Sequence, residues 1–263
     1  MNGERVTGYP KDTMRLGILG GGRAAWAYGT AWRRIGWPLA GVWLRPESKS
    51  RLPELLEVPR REILDLAAES ELILVAVSDG AVESVVARIP PTEAIIFHAS
   101  GALPAPGGGF SLHPLKALPP VGQPSDLADT LVVFQGEHRK TARLIAAAVG
   151  ARFAEVSAEQ KPLYHAAAVF GSNYVAAILD ISADMMRRAG LEDVRGDIVT
   201  LAQSAIANWA AHDDPKRFTG PAARGDEATM AGHVAAIGDD AQVAEIYKLL
   251  AAWITGSNLA TRK

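Results

Sequence analysis

Short runs of Val, Ile and Leu alternate with helical stretches through the first half of the chain. The runs "RLGILG", "LAGVWLR", "ELILVAV", "AIIFHAS" and "TLVVFQG" have strand length and lack a polar face, as strands buried on both sides do. Between them, "RAAWAYGTAWRRIG", "RREILDLAAES" and "GAVESVVARI" carry helical spacing, and the first ends at Gly36, a residue suited to stopping a helix. Strands alternating with helices predict an α/β fold with a doubly wound parallel sheet. Beyond Val156 the chain becomes rich in Ala, Leu and Ile at helical periods with almost no strand-like run. The pattern therefore predicts a polar tail over 1–14, an α/β domain over 15–155 and an all-helical domain over 156–263. The segment from Ser100 to Leu127 is so rich in Pro and Gly that it reads as a long functional loop.

Composition narrows the classes. The 263 residues are 48% hydrophobic, enough for a sizeable core, and 27 basic against 29 acidic residues leave a net charge of −2. No general field attracts nucleic acid or an anionic membrane, so a small molecule is the expected partner. The chain has no cysteine, which excludes disulfides and thiolate chemistry. The opening residues carry no apolar core of a secretory signal, and no uninterrupted apolar run reaches ~18 residues. A cytoplasmic location is the expectation.

The segment "RLGILGGGRAAWAYG" places glycines between the first strand and the first helix. Gly20, Gly22 and Ala25 match the Gly-x-Gly-x-x-Gly/Ala spacing of a dinucleotide loop, and Gly21, Arg23 and Ala24 fill it. Gly20 would make the turn, Gly22 would let backbone approach a pyrophosphate, and Ala25 would permit close helix–strand packing. The alternative is a bare strand-to-helix turn. The second strand ends in Arg45, followed by Ser48 and Lys49. An enzyme for NAD would place a carboxylate on the ribose there, whereas a guanidinium suits a 2′-phosphate. Glu47 stands against this reading and a solvated basic turn is its plain alternative, but NADP is preferred over NAD.

No His-x-His or His-Glu-x-x-His occurs among the six histidines, so no metal site is expected. His98 falls at the end of a strand, His113 in "SLHPL" and His165 in "KPLYHAAAVFGSNY". Regular helical spacing puts His165, Ser172 and Asn173 on one face. Such polar groups need partners, which a ligand, a loop or a neighbouring domain could supply. In "TGPAARGDEAT", Asp226 reads as a helix N-cap and Arg224 as a possible clamp for a carboxylate.

The motifs "GILGGGRAAWA", "VAVSDGAV", "HASGAL", "SLHPL", "YHAAAVFGSNY" and "TGPAARGD" together resemble the Rossmann-like proteins with a DUF2520 C-terminal domain. That family is similar in fold to pyrroline-5-carboxylate reductases, F420-dependent NADP reductases and the β-hydroxyacid dehydrogenases. The resemblance implies a Rossmann-type NADP domain followed by an all-α domain like that of 6-phosphogluconate dehydrogenase, and a homodimer formed through the C-terminal helices. The related hydroxyacid dehydrogenases place a catalytic Lys four residues before an Asn. Here Lys161 precedes His165 by four and Asn173 follows later, so that assignment does not transfer.

The expected activity is NADP-dependent hydride transfer with a small carbonyl, imine or hydroxy compound in an interdomain cleft. The nicotinamide is expected near Val77, Ser78, His98 and Ser100. His165 is the candidate acid/base, oriented by Ser172 and Asn173, with His98, Ser100, His113, Arg224 and Asp226 towards the substrate. A non-catalytic NADP sensor is the alternative. A serine hydrolase using Ser100 is disfavoured, because "HASGA" lacks the nucleophile elbow.

Overall fold

The computed structural model describes residues 14–214 and 217–260, so all but Met14 of the expected tail lies outside the described residues. The chain divides into two compact units, Met1–Phe170 and Gly171–Lys263. The division falls later than the change of pattern at Val156.

The first unit is built on seven strands: β1 (Leu16–Leu19), β2 (Leu39–Trp43), β3 (Leu72–Val75), β4 (Ile95–His98), β5 (Phe110–Pro114), β6 (Leu131–Gly136) and β7 (Arg152–Glu155). Their spatial order is β2-β1-β3-β4-β5-β6-β7. Every pairing is parallel except β5 with β6. The mostly parallel sheet expected from the alternating pattern is thus present. The chain leaves β1 for β2 on one side and then crosses to β3 on the other, which opens a crevice at the carboxyl ends of these strands.

Helices α1 (Arg23–Arg34), α2 (Leu52–Leu56), α3 (Ile63–Glu69), α4 (Asp79–Val86) and α5 (Arg139–Ala148) connect the strands. Gly36, with φ of +73°, ends α1 as predicted, and its N–H donates to the Arg33 carbonyl at 3.0 Å. Two cores flank the sheet. One gathers Leu16, Ile18, Tyr28, Trp32, Phe97 and Phe110, and the other gathers Leu19, Trp43, Ile73 and Val75. Phe97 stacks on Phe110 with centroids 4.9 Å apart.

The segment Ser100–Leu127 corrects the loop expectation, because strand β5 runs through its middle. Prolines rule out a long helix, but Phe110–Pro114 completes its backbone hydrogen bonding with β4 and β6. β7 is likewise a short strand that no apolar run announced; it pairs with β6.

Helix α6 (Lys161–Val169) closes the first unit. A π-helical turn, Phe170–Tyr174, follows it and leads into α7 (Val175–Arg188). The second unit continues with α8 (Arg195–Ala211), α9 (Pro221–Arg224), α10 (Glu227–Ile237) and α11 (Ala241–Ala260), and is helical as expected. By length and composition Lys161–Arg188 is apolar enough to cross a membrane, with mean hydropathy 1.4 and none of the 18-residue window buried. Its first residue, however, is tied into the sheet of the first unit: Lys161 is 2% exposed and donates to Ser111 on β5.

Candidate active site

The register of the sheet lines up the chemistry. Leu19, Val75, His98 and Ser111 are partners on four adjacent parallel strands. The residues that follow them therefore share one edge, within about 15 Å at ~4.8 Å per strand step. They are the glycine turn, Ala76–Val77–Ser78, Ala99–Ser100 and Leu112–His113.

A cleft of about 350 Å³ opens at this edge, lined by Gly20, Gly21, Gly22, Arg23, Ala24, Trp43, Leu44, Arg45, Ser48, Ala76, Val77, Ser78 and Ala81. Of the ten residues expected to bind a cofactor, only Ala25 is not on its wall. Ala25 is fully buried, as the close helix–strand packing assigned to it requires. Gly20 has φ of +124°, and a Cβ there would lie 2.2 Å from the Ala76 carbonyl oxygen. This position admits no side chain. Gly22 precedes α1, and a Cβ on it would meet nothing within 4 Å. The first N–H groups of α1 thus adjoin open space, which suits an anion such as a pyrophosphate.

The end of β2 is braced by residues that the sequence pattern did not single out. Ser50 Oγ donates to the Gly21 carbonyl at 2.7 Å, and Arg60 Nη2 donates to the carbonyls of Leu44 and Arg45 at 3.1 and 3.0 Å. Arg45 itself is exposed, and its Nε lies 3.4 Å from the Glu47 carboxylate. The acidic neighbour therefore pairs with the guanidinium across the surface. Ser78 is exposed and N-caps α4 without a side-chain hydrogen bond to it.

Farther along the edge, His98 and Ser100 hold a loop together. His98 Nδ1 accepts the Ser100 N–H at 3.2 Å, which leaves its Nε2–H to donate to the Pro104 carbonyl at 2.8 Å. Burial lowers the His98 pKa. Ser100 Oγ accepts the N–H groups of Ala102 and Leu103, both at 3.1 Å. These two residues shape the site by fixing the 100–104 turn.

The turn places Gly101 against two imidazoles. A Cβ on Gly101 would lie 2.5 Å from His165 Cδ2 and 3.0 Å from His113 Nε2. His113 and His165 meet edge to face with centroids 6.0 Å apart. His113 Nδ1 is 2.5 Å from the Tyr164 hydroxyl. Burial, reinforced by His165 and Lys161, pushes the His113 pKa down to about 4. Burial also raises the Tyr164 pKa above the ordinary phenol range.

The sequence gives Lys161 no role, because its spacing to Asn173 does not match that of the related dehydrogenases. Its Nζ donates to Ser111 Oγ, and Ser111 in turn donates to the Ser100 carbonyl at 3.3 Å. Burial pulls the Lys161 pKa down to about 8, partly opposed by Asp79. The clue was present: a lysine opening an apolar helix one turn before His165. Only β5 shows that it points into protein.

The remaining candidates lie in the second unit. Ser172 and Asn173 occupy the π-helical turn, which interrupts the regular 3.6-residue phase from which their shared face with His165 was inferred. Asp226 caps α10 as predicted, accepting the Thr229 N–H at 3.1 Å and the Thr229 hydroxyl at 2.7 Å. Those bonds, with a lesser contribution from Arg224, lower its pKa. Arg224 is exposed at the end of α9. Among the described residues no group of three or more His, Asp or Glu could hold a metal ion.

No curated protein matches the chain. Among solved structures, a candidate NADP oxidoreductase from Bacteroides fragilis is similar at 20% identity and a TM-score of 0.79, with 93% of this chain and 98% of that chain covered. A reductive aminase from Aspergillus terreus, in complex with NADPH4, cyclohexanone and allyl amine, gives 18% identity, a TM-score of 0.68 and coverage of 92% and 93%. The Plasmodium falciparum pyrroline carboxylate reductase with NADP bound gives 15% identity, a TM-score of 0.59 and coverage of 94% and 100%. At these identities the likeness is one of fold. Residues 2–116 match the Rossmann-like domain, and residues 132–254 match DUF2520, a domain of unknown function. The two matches follow one another along the chain, each over less than half of it.

Proposed function

We propose that this protein is an NADP-dependent oxidoreductase acting on a small carbonyl, imine or hydroxy compound. The observation that carries the reading is the cleft at the carboxyl ends of β1, β2 and β3, lined by the open glycine turn, Arg45, Ser48, Val77 and Ser78; His113, which follows Ser111 on β5, lies farther along the same edge of the sheet, beside His165. Similar folds in solved reductases with NADP or NADPH support it.

In this reading the N–H groups at the start of α1 take the pyrophosphate. Arg45 swings from Glu47 onto the 2′-phosphate, with Ser48 as a further donor. Val77 and Ser78 flank the nicotinamide. When bound, the cofactor supplies a hydride to the carbon of a C=O or C=N bond, or accepts one in reverse. His165 gives or takes the proton at the oxygen or nitrogen of that bond. A second copy covers the apolar helix faces of the second unit, which makes the working form a homodimer in the cytoplasm.

Calorimetric titration with NADPH and with NADH tests the cofactor assignment. Wild type should bind NADPH more tightly, and Arg45→Ala should lose about tenfold or more towards NADPH alone, as expected for a charge-assisted phosphate contact. Failure to bind either nucleotide would reduce the glycines to a turn. Binding without turnover on any carbonyl or imine would favour a sensor.

A further inference from the structure

The His113–Tyr164 pair carries an inference that rests on the hydride-transfer reading and assigns a role within it. We propose that His113 presents its Nε2–H as a fixed hydrogen-bond donor to the reacting oxygen or nitrogen of the substrate, and that Tyr164 is the positioning residue that sets this tautomer.

His113 Nδ1 and the Tyr164 hydroxyl are 2.5 Å apart, and one of the two must donate. The imidazole lone pair is the more basic acceptor and the phenol the more acidic donor. Burial keeps Tyr164 a phenol, so its proton is available to give. The ring is itself held neutral: it is half-buried, His165 and Lys161 of the same helix oppose a positive charge, and Asp79 at the start of α4 favours one only as the weakest influence. A neutral imidazole has a single proton. With Nδ1 accepting from Tyr164, that proton sits on Nε2.

Nε2 is the ring nitrogen left to a ligand. Among the described residues no hydrogen bond reaches this atom, and its close neighbours are Gly101 and, beyond it, the edge of His165. Gly101 packs closely against both rings, and a Cβ there would crowd them, so the position keeps the two imidazoles at their edge-to-face distance. The two histidines thus divide the work. His165 exchanges the proton, whereas His113 stays neutral and stabilises negative charge as it develops on the same atom, a service that a pre-aimed donor performs without reorganisation. Ser111, one residue before His113, is held by Lys161 and by the Ser100 carbonyl. The strand that aims the ring is therefore braced on the same helix that carries Tyr164.

The test uses the full-length protein with ¹⁵N-labelled histidine, and reads the ring nitrogens of His113 directly. Wild type should show a single Nε2–H tautomer that remains neutral down to about pH 5, well below an ordinary histidine pKa. Tyr164→Phe should mix the two tautomers and lower kcat about tenfold or more, with NADPH affinity unchanged, in line with the loss of an aligned donor. His113→Gln, which keeps an N–H donor near the same place, should retain more activity than His113→Leu. A wild-type Nδ1–H tautomer, an ordinary titration near pH 6.5, or an unaltered tautomer in Tyr164→Phe would overturn the proposal. Absence of nucleotide binding in the wild type would remove the substrate role along with the hydride-transfer reading. In that case the ring spectrum still reads the tautomer independently.

Discussion

The two units of this chain treat apolar residues in opposite ways. In the first, every residue of β1 and β3 is buried, and aromatic rings from α1, β4, β5 and β6 stack into one core. In the second, the buried hydrophobic residues among those described are Ile198, Ala222, Ile237 and Ala244, while Ile178, Leu201, Ile206, Trp209 and Leu249 stand exposed. A sheet covered on both faces completes its own core. Helices that are apolar on more sides than their neighbours cover leave a surface that costs free energy in water. The first unit thus buries its apolar residues by itself, whereas the second leaves many of its own at the surface.

The largest effect should come from breaking the self-sufficient core. Phe97→Ala removes a ring stacked on Phe110 and set edge-on to Tyr28, and should cost about 3–5 kcal/mol in urea denaturation. A loss below about 1 kcal/mol, the usual surface value, would show that the sheet does not depend on this stack.

Trp209→Glu addresses the other side of the comparison. Trp209 on α8 is 64% exposed. The substitution should alter the stability of an isolated chain by only about 0.5 kcal/mol, yet convert the proposed homodimer into a monomer by light scattering. An unchanged mass would place the covering surface elsewhere.

The smallest expected effect concerns the buried lysine. The folded chain holds Lys161 at about 8 against 10.5 for a free lysine. Between those pH values the unfolded chain binds a proton that the folded chain lacks, so stability rises with pH across the window. Below it, the cost of burying the ammonium is fully present. Lys161→Met should therefore stabilise the protein by about 1 kcal/mol at neutral pH, with the gain shrinking towards pH 10.5. Urea midpoints at the two pH values check this, and an identical gain at both would mean that the charge is not what the burial opposes.

Much of this molecule was legible as pattern. β1 to β4 and β6 are apolar runs, and the glycine turn has the spacing that backbone approach to a phosphate demands. Gly36 stops α1 because a left-handed residue is needed there. β5 was hidden inside a stretch of prolines and glycines. Its strand character comes from two neighbours that provide hydrogen bonds, and no residue of "FSLHP" announces either of them.

The candidate site divides along the same line. The residues of the cleft are close in sequence to the ends of β1, β2 and β3, and nine of its thirteen lining residues are ones the sequence had singled out, whereas Trp43, Leu44, Ala76 and Ala81 are not. His113, Tyr164, His165 and Lys161 were visible only as separate polar residues. Their common place depends on β5 lying next to β4 and on α6 returning across it, over about fifty residues of chain. The sequence by itself determined the alternation of strand and helix, the glycine turn and the helical character of the second unit, because each follows from local sterics and periodicity. Only the tertiary structure decided that Lys161 is buried, that His98 is spent on its own loop and that His113 faces Tyr164. Those outcomes depend on which distant groups share a low-dielectric space, and local pattern does not record that.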